Sequence, residues 1–301
     1  MAPSILLIPR QGLANRLRAI ASAKIFADFN GSKFYVQWDK EECCNCSYDD
    51  LFTERLPRLD QQSLVNRKYI YKPTVHTNTI IPAAREMDFI VVQGGHEFKD
   101  PNMLETDFIQ QKCKFYHWLQ TIIHPKLLKQ IPWIPSRSIG VHVRNFVEKY
   151  DAADGRVFEE VSPLNEFVKL VLKIHKRCPT ITFVLCSNNT NAYEALSGIL
   201  PKNKLWYRTN KSVERDTELG IQDAIIDILT LSRCKMIIGT TMSSFSDEAC
   251  FFGSIPKICM GAVRKESSYH CYGYSNIQKD YFLIPHINEG SYKLIDELVL
   301  S

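Results

Sequence analysis

From Ser138 onward the chain repeats one pattern: an apolar run of strand length, a polar turn, then a segment with helical periodicity. SIGVHVRNF, TITFVLCS, KMIIGT and IPKICM are the apolar runs, with KLWYRT as a further short strand. SPLNEFVKLVLKIHKRCP, NNTNAYEALSGIL, GIQDAIIDILTLSRC and SSFSDEACFFG are the helical segments between them. A strand apolar on both faces has to be covered on both faces, and intervening helices supply that cover when the strands run parallel. This half of the chain is therefore expected to be a parallel sheet between helical layers. Such sheets bind ligands at the carboxyl ends of their strands, which selects the residues that matter. Within the helices, Ser162 is expected as an N-cap with Pro163 at the first helical position. In GIQDAIIDILTLSRC, Ile221, Ala224, Ile225, Ile228 and Leu229 form one apolar face, which leaves Asp223, Asp227 and Thr230 on a face expected to be solvated.

The first half alternates less regularly. SILLIP reads as a strand and GLANRLRAIASAKIFADFNG as a helix, with Leu13, Leu17, Ile20 and Ala27 at helical spacing and Gly31 where it stops. KFYVQW is a strand, residues 41–85 read as irregular, DFIVVQGG is a strand and FIQQKCKFYHWLQTII a helix. HPKLLKQIPWIPSRS carries three prolines and reads as an interdomain linker. The whole is an α/β chain of 301 residues, enough for two domains of roughly 100–200 residues each. The boundary divides 1–135 from 136–301.

Composition narrows the partners. Lysine and arginine total 37 against 33 acidic residues, too small a surplus for a nucleic-acid-binding face. The start, MAPSILLIPRQG, lacks the basic region and long apolar run of a secretory signal, and no segment approaches the ~18 apolar residues of a membrane span. A soluble protein without membrane insertion is expected, unless an anchor precedes it. Most of the ten cysteines sit in apolar runs, as buried thiols of a reducing, cytoplasmic compartment would. EECCNC lacks the paired spacing of a zinc site and reads as a chance cluster in a surface loop, so no metal is expected.

Four constellations can carry chemistry. His142 and Arg144 lie two apart at the end of a strand and leave by the same face. Burying a guanidinium calls for an anion, either a structural carboxylate or a bound phosphate. Thr240, Thr241, Ser243, Ser244 and Ser246 crowd the junction of strand KMIIGT with the next helix, a ready anion site; plain capping by Ser244 or Ser246 explains only one of them. Asp227 stands on the preceding helix. Gly12, Asn15 and Arg16 open the first helix, in a turn that is not GxGxxG.

GLANRLRAI, IGVHVRN and DILTLSRCKMIIGTTMSSFS together resemble the fucosyltransferase superfamily of nodulation α-1,6-fucosyltransferases and protein O-fucosyltransferases. The resemblance implies a GT-B fold: two Rossmann-like lobes with a nucleotide-sugar cleft between them, 1–135 on the acceptor side and 136–301 holding the donor. It implies an inverting transfer of L-fucose from GDP-fucose to a glycan hydroxyl. By position, Arg144 would bind the β-phosphate, His142 the ribose or phosphate, and Asp227 the guanine. Thr241, Ser243 and Ser244 would line the diphosphate, Gly12 and Asn15 would approach from the first lobe, and Arg16 and Phe245 would also belong to the donor site. The sequence has no Asp-x-Asp pair, so a metal-independent reaction is expected, with Arg144 and a helix N-terminus stabilising the leaving group. Relatives often continue as HVRR-x-D where this chain runs HVRNFVEKYD. Glu148 and Asp151 are the candidate acids for deprotonating the acceptor, and the general base stays open. That departure also leaves open another nucleotide-linked deoxysugar as donor, or a nucleotide- or sugar-binding protein without turnover.

Overall fold

The computed structural model describes residues 2–59, 61–74, 79–80, 86–145, 147, 149, 159–160, 162–241, 243–260 and 283–284. They divide into two compact units, one of Met1–Lys129 with Glu214–Ile225, the other of Gln130–Val213 with Ile226–Cys271. The change of unit at residue 130 falls inside the proline-bearing segment HPKLLKQIPWIPSRS.

The first unit holds β1 (Ser4–Pro9), α1 (Leu13–Phe29), β2 (Phe34–Val36) and the single turn α2 (Tyr48–Leu51). There follow β3 (Tyr69–Thr74), β4 (Thr79–Ile80), β5 (Phe89–Gly94), β6 (Phe98–Lys99), α3 (Glu105–Thr121) and α4 (Pro125–Leu128). Its main sheet has the order β2-β1-β5-β3, parallel throughout, and β4 and β6 form a separate parallel pair. Residues 41–85 are therefore not wholly irregular: β3 pairs with β5 along its whole length, Tyr69 to Phe89 through Thr74 to Gly94. Its sequence, YIYKPT, hides this because an edge strand keeps tyrosines half exposed and tolerates Pro73. α1 buries 13 of its 17 residues, arginines 16 and 18 included, so its pattern of small residues marks a helix packed nearly all round. It ends where expected, with Gly31 at φ +63°.

The second unit comprises β7 (Ser138–Val143), α5 (Leu164–Arg177), β8 (Thr182–Ser187), α6 (Thr190–Ser197) and β9 (Leu205–Trp206). It continues with α7 (Glu218–Leu231), whose first turns group with the other unit, then β10 (Met236–Thr240), α8 (Ser244–Gly253), β11 (Lys257–Met260) and β12 (Leu283–Ile284). The sheet order is β9-β8-β7-β10-β11-β12, all parallel. Counted along the unit, that is 3-2-1-4-5-6, the Rossmann order, whose reversal point lies between β7 and β10. Ile139, Val141, Val143, Phe167, Phe183, Leu185 and Ile238 form its principal core, with every residue of β7 buried.

Two local expectations are corrected here. Ser162 does not cap α5: Pro163 occupies the N-cap position, and the buried Ser162 hydroxyl donates to the Met260 carbonyl and accepts the Thr241 N–H at 3.1 Å. The hydroxyl joins the ends of β10 and β11, a contact across 79 and 98 positions of chain that local pattern does not announce. Second, the polar face of α7 is not solvated. Asp223 and Asp227 are 4% and 6% exposed and Thr230 is fully buried, so this face is covered from Asp223 onward, while Leu219 in the first turn stays 61% exposed.

Gly239 sets how closely α8 lies on the sheet, because a Cβ there would meet Ser246 Cβ at 2.9 Å and Lys257 Cε at 2.8 Å. Gly239→Ala is expected to destabilise the protein by about 1–3 kcal/mol, the range for overpacking, read as a lower urea midpoint.

Among the described residues no helix is long and apolar enough to cross a membrane. The cysteine-rich segment is not a surface cluster throughout: Cys44 and Cys46 are fully buried, and burial raises both thiol pKa values, that of Cys44 to about 11. No group of three or more metal-binding side chains occurs among the described residues.

Candidate functional site

The reversal point of the second sheet brings together two of the four constellations, His142 with Arg144 and the hydroxyl-rich junction of β10 with α8. β7 and β10 are neighbours with His142 opposite Gly239, and β7 also pairs with β8, His142 opposite Cys186. Arg144 is the first residue past β7. Its N–H donates to Thr240 Oγ1 at 2.9 Å, and that hydroxyl donates in turn to the His142 carbonyl at 3.3 Å. The guanidinium stem thus starts from a fixed peptide at the carboxyl edge of the sheet, half-buried.

His142 is 6% exposed and stacks on Phe245, ring centroids 4.8 Å apart at 15°. Its Nδ1 is buried without a hydrogen-bond partner among the described residues. Burial first, then the positive charges of Lys257, Arg144 and Lys211, hold its pKa well below the ordinary 6.5. The ring is therefore neutral at neutral pH and offers hydrogen bonding and an apolar face, not charge. The sign of the linkage follows: a lowered folded-state pKa means the unfolded chain binds the extra proton first, so stability is full above pH 6.5 and falls as the pH drops below it. His142→Phe, which keeps the stack, is expected to flatten that acid-side loss by up to about 1.4 kcal/mol per pH unit in urea titrations at pH 7.5 and 5.5.

α8 begins beside this ring. Ser243 is its N-cap residue, yet among the described residues no side chain caps the first turn, and the fully buried Ser243 hydroxyl has no partner among them. Neither Ser244 nor Ser246 takes the expected capping role; the Ser246 hydroxyl donates to the Ser243 carbonyl at 3.3 Å. Thr240 and Thr241 turn inward: the Thr241 hydroxyl donates to Met260 O at 2.6 Å and the residue is 1% exposed. The crowd of hydroxyls thus splits into two that tie strand ends together and a serine-rich turn that leaves helix N–H groups without a side-chain cap. Uncapped N–H groups at a helix start favour an anion.

Asp227 sits on α7 against cations that local pattern does not mark. It pairs with Lys211, and Arg208 Nε lies 3.8 Å away. Burial by itself would lower the Lys211 pKa; the Asp227 carboxylate, with smaller contributions from Cys186 and Tyr193, outweighs it and the pKa rises. Lys211 also donates to the Ser187 carbonyl at 3.1 Å and stands 5.6 Å over the Tyr193 ring. Arg208 belongs to the expected strand run KLWYRT and Lys211 follows it, and no motif in the sequence marks either as a partner of Asp227.

In the first unit the expectation for Arg16 is overturned. Its side chain is fully buried, donating to Gln11 O at 2.9 Å, Asp39 O at 2.6 Å and Glu41 Oε2 at 2.8 Å, over the Trp38 ring. It is a structural ion pair, out of reach of a ligand. Asn15 is half-buried, bonded to Gln11 and Arg18. Gly12 is not the tight-turn residue, having φ −67°; Gln11 takes the left-handed conformation at φ 71°. A cleft of about 380 Å³ in this unit is lined by Gln37, Trp38, Ser47, Tyr48, Arg58 and Ser63, with Val36 and Leu59. Glu148 and Asp151 lie outside the described residues.

No protein-family model matches the sequence, and no curated protein does. Solved structures do match the fold. A point mutant of Arabidopsis thaliana FUT1 in complex with GDP aligns with TM-score 0.59 at 12% identity, over 92% of this chain and 77% of that one. The NodZ α-1,6-fucosyltransferase soaked with GDP-fucose aligns at 0.55 and 16%, over 84% and 93%; NodZ is from Bradyrhizobium. The apo form of POFUT1 aligns at 0.54 and 8%, over 87% and 99%. Two α/β units with parallel sheets, as found here, are the GT-B fold of these fucosyltransferases.

Proposed function

We propose that this chain is an inverting, metal-independent glycosyltransferase that moves L-fucose, or a closely related deoxysugar, from a GDP-linked donor to a glycan hydroxyl. The observation that carries the reading is the convergence, at the reversal point of a Rossmann-ordered sheet, of Arg144, His142 and the uncapped start of α8. Fold likeness to enzymes seen with GDP and GDP-fucose supports the choice of nucleotide.

The chemistry fits these residues. Inverting transfer passes through an oxocarbenium-like state while a diphosphate departs with growing negative charge. Groups preorganised at the point where charge develops lower that barrier most. The Arg144 guanidinium and the N–H groups of Ser244 and Phe245 are the donors for that charge, the role a divalent ion takes in other transferases. Neutral His142, stacked on Phe245, supplies a flat wall and a hydrogen-bonding edge without competing for the anion. Asp227, held by Lys211 and Arg208, is the acceptor for the guanine N–H groups. The first unit carries the acceptor side, and its cleft fits a sugar: the Trp38 and Tyr48 rings give apolar faces, and Gln37, Ser47, Arg58 and Ser63 give polar contacts. Glu148 and Asp151 remain the candidates for the base.

Calorimetry with GDP, UDP and dTDP tests the donor: GDP is expected to bind at least about tenfold more tightly, and equal affinities would remove guanine recognition from the reading. Transfer in excess EDTA is expected at the full rate, and loss restored by a divalent ion would overturn metal independence. A chain that binds GDP-fucose but transfers to no member of a glycan panel would be a binding protein instead.

A further inference from the structure

The paired registers of β7 end at His142 opposite Gly239 on one side and Val143 opposite Ser187 on the other. Past that point two side chains continue the ladder. Thr240 Oγ1 accepts the Arg144 N–H at 2.9 Å, and one residue on, Asn145 N–H donates to Asn188 Oδ1 at 2.9 Å while Asn188 Nδ2 donates to Asn145 O at 2.9 Å. An asparagine amide has an acceptor and two donors in one plane, so Asn188 makes the two-way exchange that a strand residue would make. Ser187, beside it, donates its hydroxyl to Val143 O at 2.8 Å. The peptides on both sides of the Arg144 Cα are thus gripped by elements on either flank, β10 and the turn after β8.

We infer that Thr240 and Asn188 are positioning residues, which lock the 144–145 backbone so that the Arg144 guanidinium is aimed at the departing diphosphate. The inference rests on the reading of Arg144 given above. An arginine reaches through a long flexible stem, and a misplacement of about 1 Å at a reacting centre can cost as much as a hundredfold in rate. A polar loop without these bonds would release the stem's origin. Neither residue touches the ligand in this account; each acts through Arg144.

The test uses the full chain with Thr240→Val, Thr240→Ser and Asn188→Ala, reading amide hydrogen exchange at Arg144 and Asn145, GDP affinity, and kcat separately from KM. Thr240→Val is expected to speed exchange at Arg144, and Asn188→Ala at Asn145, each about tenfold or more. Both should lower kcat about tenfold with smaller changes in acceptor KM. Thr240→Ser, which keeps the hydroxyl, should restore both readouts; Asn188 is half-buried, so its variant serves if Thr240→Val loses its fold. Unchanged exchange in both variants, or faster exchange with kcat and GDP affinity at wild-type levels, overturns the inference. Failure of the underlying reading looks different: wild-type protein would bind GDP no better than UDP, and Arg144→Ala would keep its rate.

Discussion

Arg144→Ala is expected to lower transfer from a GDP-linked donor roughly a hundred- to a thousandfold, the loss seen when one preorganised donor to a developing anion is removed. The fall should appear in kcat and kcat/KM together, because the bond is strongest when the diphosphate carries its full charge. Arg144→Lys is expected to recover only part of it, since an ammonium keeps the charge but not the planar fork that spans two phosphate oxygens. The fold should survive both changes: the Arg144 contact with Thr240 is made by its backbone N–H, which alanine and lysine retain. Steady-state rates with circular dichroism as the folding control are sufficient. A rate near wild type in Arg144→Ala would detach the guanidinium from the chemistry.

The largest stability effect is expected at Lys257. Its side chain is fully buried on β11 and donates to Asp247 Oδ1 at 2.6 Å and to the Thr240 carbonyl at 3.0 Å. Burial by itself would lower its pKa, but the Asp247 carboxylate, with smaller contributions from Cys259 and Cys250, raises it above the ordinary value, so the lysine stays charged. Lys257→Met leaves a buried carboxylate without its counter-charge and is expected to cost about 3–5 kcal/mol in urea unfolding. Replacing both, Lys257→Met with Asp247→Leu, is expected to recover most of that loss, because it is the unpaired charge that destabilises. The pair also bears on the site. Asp247 lies in the first turn of α8, where a carboxylate alone would oppose a bound anion, and Lys257 neutralises it. Lys257→Met should therefore weaken GDP binding in whatever fraction stays folded.

Much of this arrangement can be read along the chain. Runs such as KMIIGT and TITFVLCS are apolar on both faces, and that alone requires a covered parallel sheet; the strand ends, and with them His142, Arg144 and the serines before α8, follow from where the runs stop. β3 does not show itself in this way, because YIYKPT keeps its tyrosines half exposed and carries Pro73, so it has no such run. The polar partners were harder for a different reason. Arg16 and Arg144 both follow a strand, Arg16 in the first turn of α1 after β1 and Arg144 directly after β7. Yet Arg16 is closed off by Glu41, 25 positions away, while the Arg144 peptide is held by Thr240, 96 positions away. Asp227 reads as a solvated residue until Lys211 and Arg208 are brought against it.

Hydrophobic periodicity is a local property, repeated every two or 3.6 residues, so element types and the doubly covered sheet could be inferred from neighbours in the chain. Which carboxylate meets which cation, which hydroxyl ties a strand end and which is left bare depend on distances across the folded chain, and no local spacing encodes them. The rim of the second sheet was therefore visible before the fold was known. Its division into fastening groups, such as Thr241 and Ser162, and a helix start without a side-chain cap came with the packing of strands remote in sequence.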